Sequence, residues 1–154
     1  MAHGAIGDYV SPMSANRFLV LGAICAALLA PPDGAARGHL DARDPVTGVK
    51  KWEVNYKAPP LASVLATAGN LVFVPDAEGV VHAYNAESGQ ELWSRNNGTG
   101  HNAGIISYMA GGKQYIAVPA GWGSLVADEF VALYGEPYKS MTKNTGALIV
   151  FALR

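Results

Sequence analysis

Residues 40–52 read LDARDPVTGVKKW and residues 81–93 read VHAYNAESGQELW, and the second stretch repeats the first at a constant offset of 41 residues. In register, Ala42 falls on Ala83, Asp44 on Asn85, Thr47 on Ser88, Gly48 on Gly89 and Trp52 on Trp93. Each copy reads as a strand, a turn and a second strand that carries the tryptophan. Asp44 and Asn85 are suited to the turn because their side chains bond the backbone a few residues on, and Gly48 and Gly89 accept positive φ at little cost.

Between and beyond the copies the pattern continues. Ser63–Thr67 with Asn70–Val74 reads as a hairpin around Ala68-Gly69, and Ile105–Tyr108 with Gln114–Val118 reads as another around Gly111-Gly112. Ala147–Leu153 (ALIVFAL), bounded by Asn144-Thr145-Gly146, is a continuous apolar run of strand length and is expected to be a fully buried strand. Helix signals are weak. Val126, Phe130 and Leu133 fall near helical spacing, so Val126–Tyr134 is read as a loop with at most one or two helical turns. A repeat of about 40–50 residues made of short strands is the signature of propeller blades, four-stranded sheets that bury their faces only against neighbouring blades. The expected fold is therefore all-β: a β-propeller segment of about two four-stranded blades plus a closing C-terminal strand. Both docking-position tryptophans, Trp52 and Trp93, are expected to be largely buried.

Composition agrees with a folded chain of this kind. Half of the 154 residues are hydrophobic, 15% are charged, and 18 glycines and nine prolines accompany seven tyrosines and three tryptophans. Low apolar content with high net charge marks disorder, and neither holds here. The net charge of −1 leaves no electrostatic footprint for nucleic acid or an anionic membrane. Cys25 is the only cysteine, which excludes an internal disulfide and a cysteine-built metal site.

Residues 1–36 form an irregular or signal-like N-terminal segment ahead of a domain over 37–154. Within it Phe18–Ala30 (FLVLGAICAALLA) follows Arg17 and precedes Pro31-Pro32. The run is short for a bilayer span, which takes about 20 apolar residues. Met13, Arg17 and the small residues Gly34-Ala35-Ala36 match the parts of an export signal. A buried strand or helix, or foreign sequence joined to the domain, are the alternatives.

The repeat has the form A-x-[DN]-x-x-[ST]-G-x-x-x-W and resembles the tryptophan-docking motif of pyrroloquinoline-quinone (PQQ) dependent alcohol dehydrogenases. GHLDARDPVTG (38–48), LATAGNLVFV (65–74), GTGHNAGIISY (98–108), GGKQYIAVPAGWG (111–123) and GALIVFAL (146–153) are similar to the C-terminal part of methanol and ethanol dehydrogenases of that family. The resemblance implies an eight-bladed propeller of which this chain supplies the last blades. It also implies a periplasmic oxidoreductase that takes electrons from a small primary alcohol into PQQ and passes them to cytochrome c. The family's catalytic base and the ligands of its calcium or lanthanide ion belong to earlier blades. No catalytic residue and no metal ligand is assigned to this chain, and the chain alone is expected to be inactive. Its partners would be the remaining propeller blades.

The resemblance places two segments beside the quinone. One is Gly100-His101-Asn102, where glycine permits close backbone approach and imidazole or amide can bond carbonyl and carboxylate oxygens. A turn-forming polar pair is the other reading of His101 and Asn102. The second is Leu61, at a position where methanol dehydrogenases tend to have tryptophan; it belongs either to the cofactor pocket or to packing. Trp122 is read either as an aromatic wall of the substrate pocket or as a buried loop anchor. Trp52 and Trp93 are assigned to blade cohesion.

Other patterns carry less. Asp76 and Glu78, in PDAEG, read as a turn, since a lone D-x-E lacks the six to eight oxygens that calcium prefers. Gly98-x-Gly100-x-x-Ala103 matches a dinucleotide fingerprint formally but precedes a β pattern instead of opening a helix. The histidines show no metal-ligand spacing, and His82 reads as a satisfied or exposed strand residue. A non-catalytic propeller of PQQ-like repeats acting as a binding scaffold is the alternative function. GTGHNAGIISY and the GWG loop favour the dehydrogenase.

Overall fold

The computed structural model describes residues 19–21, 38–141 and 146–152. Cys25, Leu153 and the signal-like run apart from Leu19–Leu21 lie outside the described residues. Three antiparallel sheets follow one another along the chain. The first holds β1 (Leu19–Leu21), β2 (Gly38–Arg43) and β3 (Lys50–Tyr56). The second is a four-stranded meander of β4 (Leu65–Ala66), β5 (Leu71–Pro75), β6 (Val80–Asn85) and β7 (Glu91–Asn96). The third holds β8 (Ile106–Ala110), β9 (Lys113–Ala120) and β10 (Ala147–Ala152), with β9 in the middle. A helix, α1 (Ser124–Tyr134), lies on the connection between β9 and β10.

The sequence repeat is a structural repeat down to its hydrogen bonds. Asp44 Oδ1 accepts the N–H groups of Val46 and Thr47 at 3.0 and 2.9 Å, and Asn85 Oδ1 accepts those of Glu87 and Ser88 at 2.9 and 3.0 Å. Gly48 and Gly89 sit at φ 71° and 72°. Ala42 pairs with Trp52 and Ala83 with Trp93, and each hairpin slips register at the same place, Ala42/Arg43 and Ala83/Tyr84. The two hairpins are the outer strands of successive sheets.

Alternation along β5 packs the second sheet between its neighbours, because successive side chains point to opposite faces. Val72 and Val74 join Leu40, Ala42, Trp52 and Tyr84 in one core, toward the first sheet. Phe73 turns the other way and joins Val81, Ala83, Ile105, Ile116 and Val118, toward the third. A third cluster lies under α1 and contains Ala58, Ala77, Trp122, Ala127, Phe130 and Tyr138.

Trp52 shows what holds the first two sheets together. Its indole Nε1–H donates to Ala86 O at 2.8 Å, and its ring covers Gly89 so closely that a Cβ there would fall 2.7 to 2.9 Å from three ring atoms.

Three expectations are corrected. Trp93 is 40% exposed, against 9% for Trp52. It meets Phe151 edge-on at 5.1 Å, but among the described residues no glycine turn lies over it as Gly89 lies over Trp52. Among the described residues β10 is an edge strand and not a buried one: it pairs with β9 alone, and Leu148 and Val150 are 67% and 45% exposed because none of those residues covers their face of the sheet. The helix runs eleven residues, longer than expected. Its apolar anchors are Ala127, Phe130, Val131 and Tyr134, a 3.6-residue stripe facing the aromatic cluster, whereas Leu133 points out. Gly135, at φ 65°, ends it by donating its N–H to Val131 O. In the β4–β5 turn the positive φ, 62°, falls on Asn70. Asparagine tolerates that conformation better than other residues with a side chain.

Candidate functional site

Four connections are bonded into one surface. Ser63 N–H donates to Ala103 O at 3.4 Å and Ile105 N–H to Ser63 Oγ at 3.1 Å. His101 N–H donates to Asp76 O at 3.0 Å, Asn97 N–H to Gly79 O at 2.8 Å and Gly121 N–H to Gly100 O at 3.0 Å. Residues around Leu61, Asp76, Gly100 and Trp122, distant in sequence, therefore share one end of the sheets.

Gly100 is there because no side chain fits. A Cβ would lie 2.6 Å from Ala77 O and against the Trp122 ring. Trp122 is 1% exposed, edge-on to Phe130 and tilted against Tyr138, each at 5.6 Å. Its Nε1 is buried without a hydrogen-bond partner, as is Thr99 Oγ1. Leu61 is half-buried and packs on the same cluster. Trp122 thus anchors the loop, and no open wall is formed by it within this chain.

His101 is fully buried. Its Nδ1–H donates to Pro119 O at 3.0 Å, and Nε2 accepts from Asn97 Nδ2 at 3.2 Å. Both ring nitrogens are engaged inside the chain, so the imidazole has no free position for an outside ligand. Asn102, next to it, is exposed. The donor set that the segment offers outward is the Asn102 amide with the peptide groups beside it. Amide and peptide N–H groups suit quinone carbonyl and carboxylate oxygens, and the exposed Gly104 leaves the backbone beside Asn102 open to a flat molecule.

A second constellation was not legible from the sequence. A cleft of 420 Å³ is lined by residues of the first two sheets and Tyr138. In it His82 Nδ1 meets Glu91 Oε2 at 2.7 Å and Nε2 meets Asp76 Oδ2 at 3.1 Å. The Tyr56 and Tyr84 hydroxyls are bonded at 2.9 Å across the two sheets. Burial pushes the His82 pKa down, yet the carboxylates of Asp76 and Glu91 outweigh it and hold it above the usual value. Burial raises Tyr84 to about 12. Asp76 also makes the expected turn, with Val80 N–H on its Oδ1 at 2.8 Å. Among the described residues no group of three or more His, Cys, Asp or Glu is arranged to hold a metal ion.

Comparison with known proteins agrees with this architecture. The PQQ family model, described as glucose/ethanol/alcohol dehydrogenase, beta-propeller domain, matches residues 34–116. The quinoprotein ethanol dehydrogenase of Pseudomonas putida is 42% identical over 106 residues, 69% of this chain and 16% of that protein. The 1-butanol dehydrogenase (cytochrome c) of Thauera butanivorans is 36% identical over 124 residues, 80% of this chain and 17% of that protein. Among solved structures a europium-containing methanol dehydrogenase superposes with a TM-score of 0.63 at 27% identity, covering 75% of this chain and 23% of the other. The chain spans about one sixth of the length of these curated relatives.

Proposed function

Since the chain belongs to the PQQ-dependent glucose/ethanol/alcohol dehydrogenase propeller family, we propose that it is the C-terminal part of a periplasmic quinoprotein that oxidises a small primary alcohol and passes the electrons to cytochrome c. The observation that carries the reading is a mismatch in its joints. One indole, Trp52, is seated on the next blade's turn; among the described residues the equivalent seat at Gly48 has nothing within 4 Å of a Cβ, and the equivalent indole, Trp93, is 40% exposed and meets Phe151 but no turn. A slice cut from a ring of like blades has one empty seat and one unseated indole. The apolar face of Ile106, Leu148 and Val150 is bare in the same way. Stacked repeats need their neighbours to bury such faces.

In this reading Trp52 and Trp93 are docking tryptophans. PQQ, when bound, supplies the two-electron acceptor. The Asn102 amide and adjoining peptide groups orient it, His101 braces them from behind, and Leu61 and Trp122 pack the floor and exclude water. The alcohol's base and the metal ion, calcium or a lanthanide as in the europium-containing relative, belong to other blades. The cytochrome c assignment is supported by the similarity to the 1-butanol dehydrogenase (cytochrome c) of T. butanivorans.

The test restores the missing blades by fusion to those of the P. putida relative and titrates the apoprotein with PQQ. Asn102→Ala should weaken binding about tenfold or more, since a hydrogen bond to a charged group contributes about 1.5–3 kcal/mol. His101→Ala should weaken it as well, through the loop that His101 braces. The 154-residue chain alone should show no dye-linked alcohol oxidation. Unchanged PQQ affinity in Asn102→Ala, with the same unfolding midpoint, would remove this segment from the cofactor site.

A further inference from the structure

Asp76 joins the cleft to the candidate cofactor segment. Its backbone oxygen accepts His101 N–H, while its carboxylate faces the other way and holds Val80 N–H and His82. The turn that it begins is also the mould for the loop: Asn97 N–H reaches Gly79 O, and a Cβ on Gly79 would lie 2.7 Å from Thr99 O. The backbone of 97–101 therefore follows wherever 76–79 is held.

Val80 N–H holds one carboxylate oxygen of Asp76 at any pH, and what holds the other depends on one proton. Carboxylate oxygens only accept hydrogen bonds, and a neutral imidazole has a single N–H to give. Both nitrogens of His82 face carboxylates, so both bonds exist together only in the imidazolium. The ring has 15% side-chain exposure, stacks on Tyr84 and meets Tyr56 edge-on, each at 5.7 Å. The titratable groups that face it are Asp76 from the β5–β6 turn, Glu91 from β7, Tyr56 from β3 and Tyr84 from its own strand. Lys57, Glu78 and Tyr138 line the same cleft. Burial holds the phenols of Tyr56, Tyr84 and Tyr138 above their usual range, so they keep their protons while His82 titrates.

The geometry points to Asp76 as a positioning residue for the Gly100–Asn102 segment, clamped by the His82 imidazolium and loosened when His82 loses its proton. This rests on reading that segment as the part that meets the cofactor, but its test does not. Heteronuclear NMR of the 154-residue chain from pH 5.5 to 9 should show the His101 amide moving with the same midpoint as the His82 ring. His82→Gln should flatten that movement. Asp76→Ala should speed exchange of the His101 amide about tenfold, as expected for loss of a charged hydrogen bond that holds a local element. The Trp52 indole N–H, bonded to Ala86 O in the same sheet pair, should stay unchanged. Asp76→Asn should restore protection, because its amide donates to the neutral ring and its oxygen keeps the Val80 bond; the pH response should then shift lower.

If Asp76→Ala disturbs the Trp52 signal as well, the Asn and Gln variants decide. A His101 amide that ignores the His82 midpoint, or that still follows it in His82→Gln, overturns the clamp. In the restored propeller, PQQ affinity should share the midpoint. A segment that titrates while PQQ affinity stays flat would leave the clamp standing and sink the cofactor reading instead.

Discussion

Gly48 and Gly89 allow the energy of the indole joint to be measured by subtraction. They occupy equivalent turns with φ of 71° and 72°, so alanine at either carries the same left-handed backbone strain. That strain costs about 1–2 kcal/mol. At Gly48 there is nothing else, because a Cβ meets no atom within 4 Å. At Gly89 the Cβ would press on Cδ2, Cε3 and Cγ of Trp52 at 2.7 to 2.9 Å, closer than real Cβ contacts come. Overpacking of this kind costs about 1–3 kcal/mol more. Gly48→Ala should therefore lose about 1–2 kcal/mol, and Gly89→Ala about 2–5. Urea unfolding at constant m reads both. A double variant Gly89→Ala/Trp52→Ala should be less destabilised than the sum of its parts, because the two residues share one contact. Equal losses for the two glycine variants would refute the claim that the indole seat is energetically closed at Gly89 and open at Gly48.

Two further outcomes follow from the same geometry. His82 has its folded-state pKa raised above the ordinary value by Asp76 and Glu91; its stabilisation should be complete below pH about 6.5 and lost as pH rises through the folded pKa. Unfolding midpoints measured from pH 5.5 to 9 should fall over that window in the parent chain and lose this component in His82→Gln; a fall of equal size in the variant would assign it to other groups. Gly100→Ala should disrupt the loop surface by steric conflict alone, at about 1–3 kcal/mol, and Trp122→Leu beside it should relieve part of the loss, which near-ultraviolet circular dichroism and urea midpoints of the single and double variants would show.

The repeat was legible because each of its residues acts locally. Asp44 and Asn85 bond the backbone two and three residues on, and Gly48 and Gly89 take the φ that the turn requires, so spacing alone carries the information. β5 likewise shows as the apolar run Leu71–Val74, although its alternation between two cores does not, because all four side chains are apolar. The His82 clamp did not show, since its partners are Asp76, six residues before, and Glu91, nine residues after, on a turn and a neighbouring strand. The β5–β6 register brings Asp76 to it and the β6–β7 register brings Glu91. His101 illustrates the same difficulty. It stands between Gly100 and Asn102, and its two ring nitrogens meet Pro119 and Asn97, whose approach no local pattern announces.

Trp93 and β10 differ again, because their local chemistry was read in full and their environment still came out otherwise. Trp93 stands in the same motif as Trp52, on the same strand position, opposite the same alanine. Its 40% exposure comes from what would lie beyond it: the indole of one blade is covered by the turn of the next blade's hairpin, as Ala86 and Gly89 cover Trp52, and the third sheet runs only to β10 among the described residues. Leu148 and Val150 are apolar for the same reason that Val72 and Val74 are, yet the second pair is fully buried and the first is not. A hydrophobic pattern states which face must be covered, and in a stacked array the cover comes from a neighbour. The exposed face of β8 to β10 is therefore read as the mark of a neighbouring blade, the same conclusion that the empty seat at Gly48 requires at the other end of the slice.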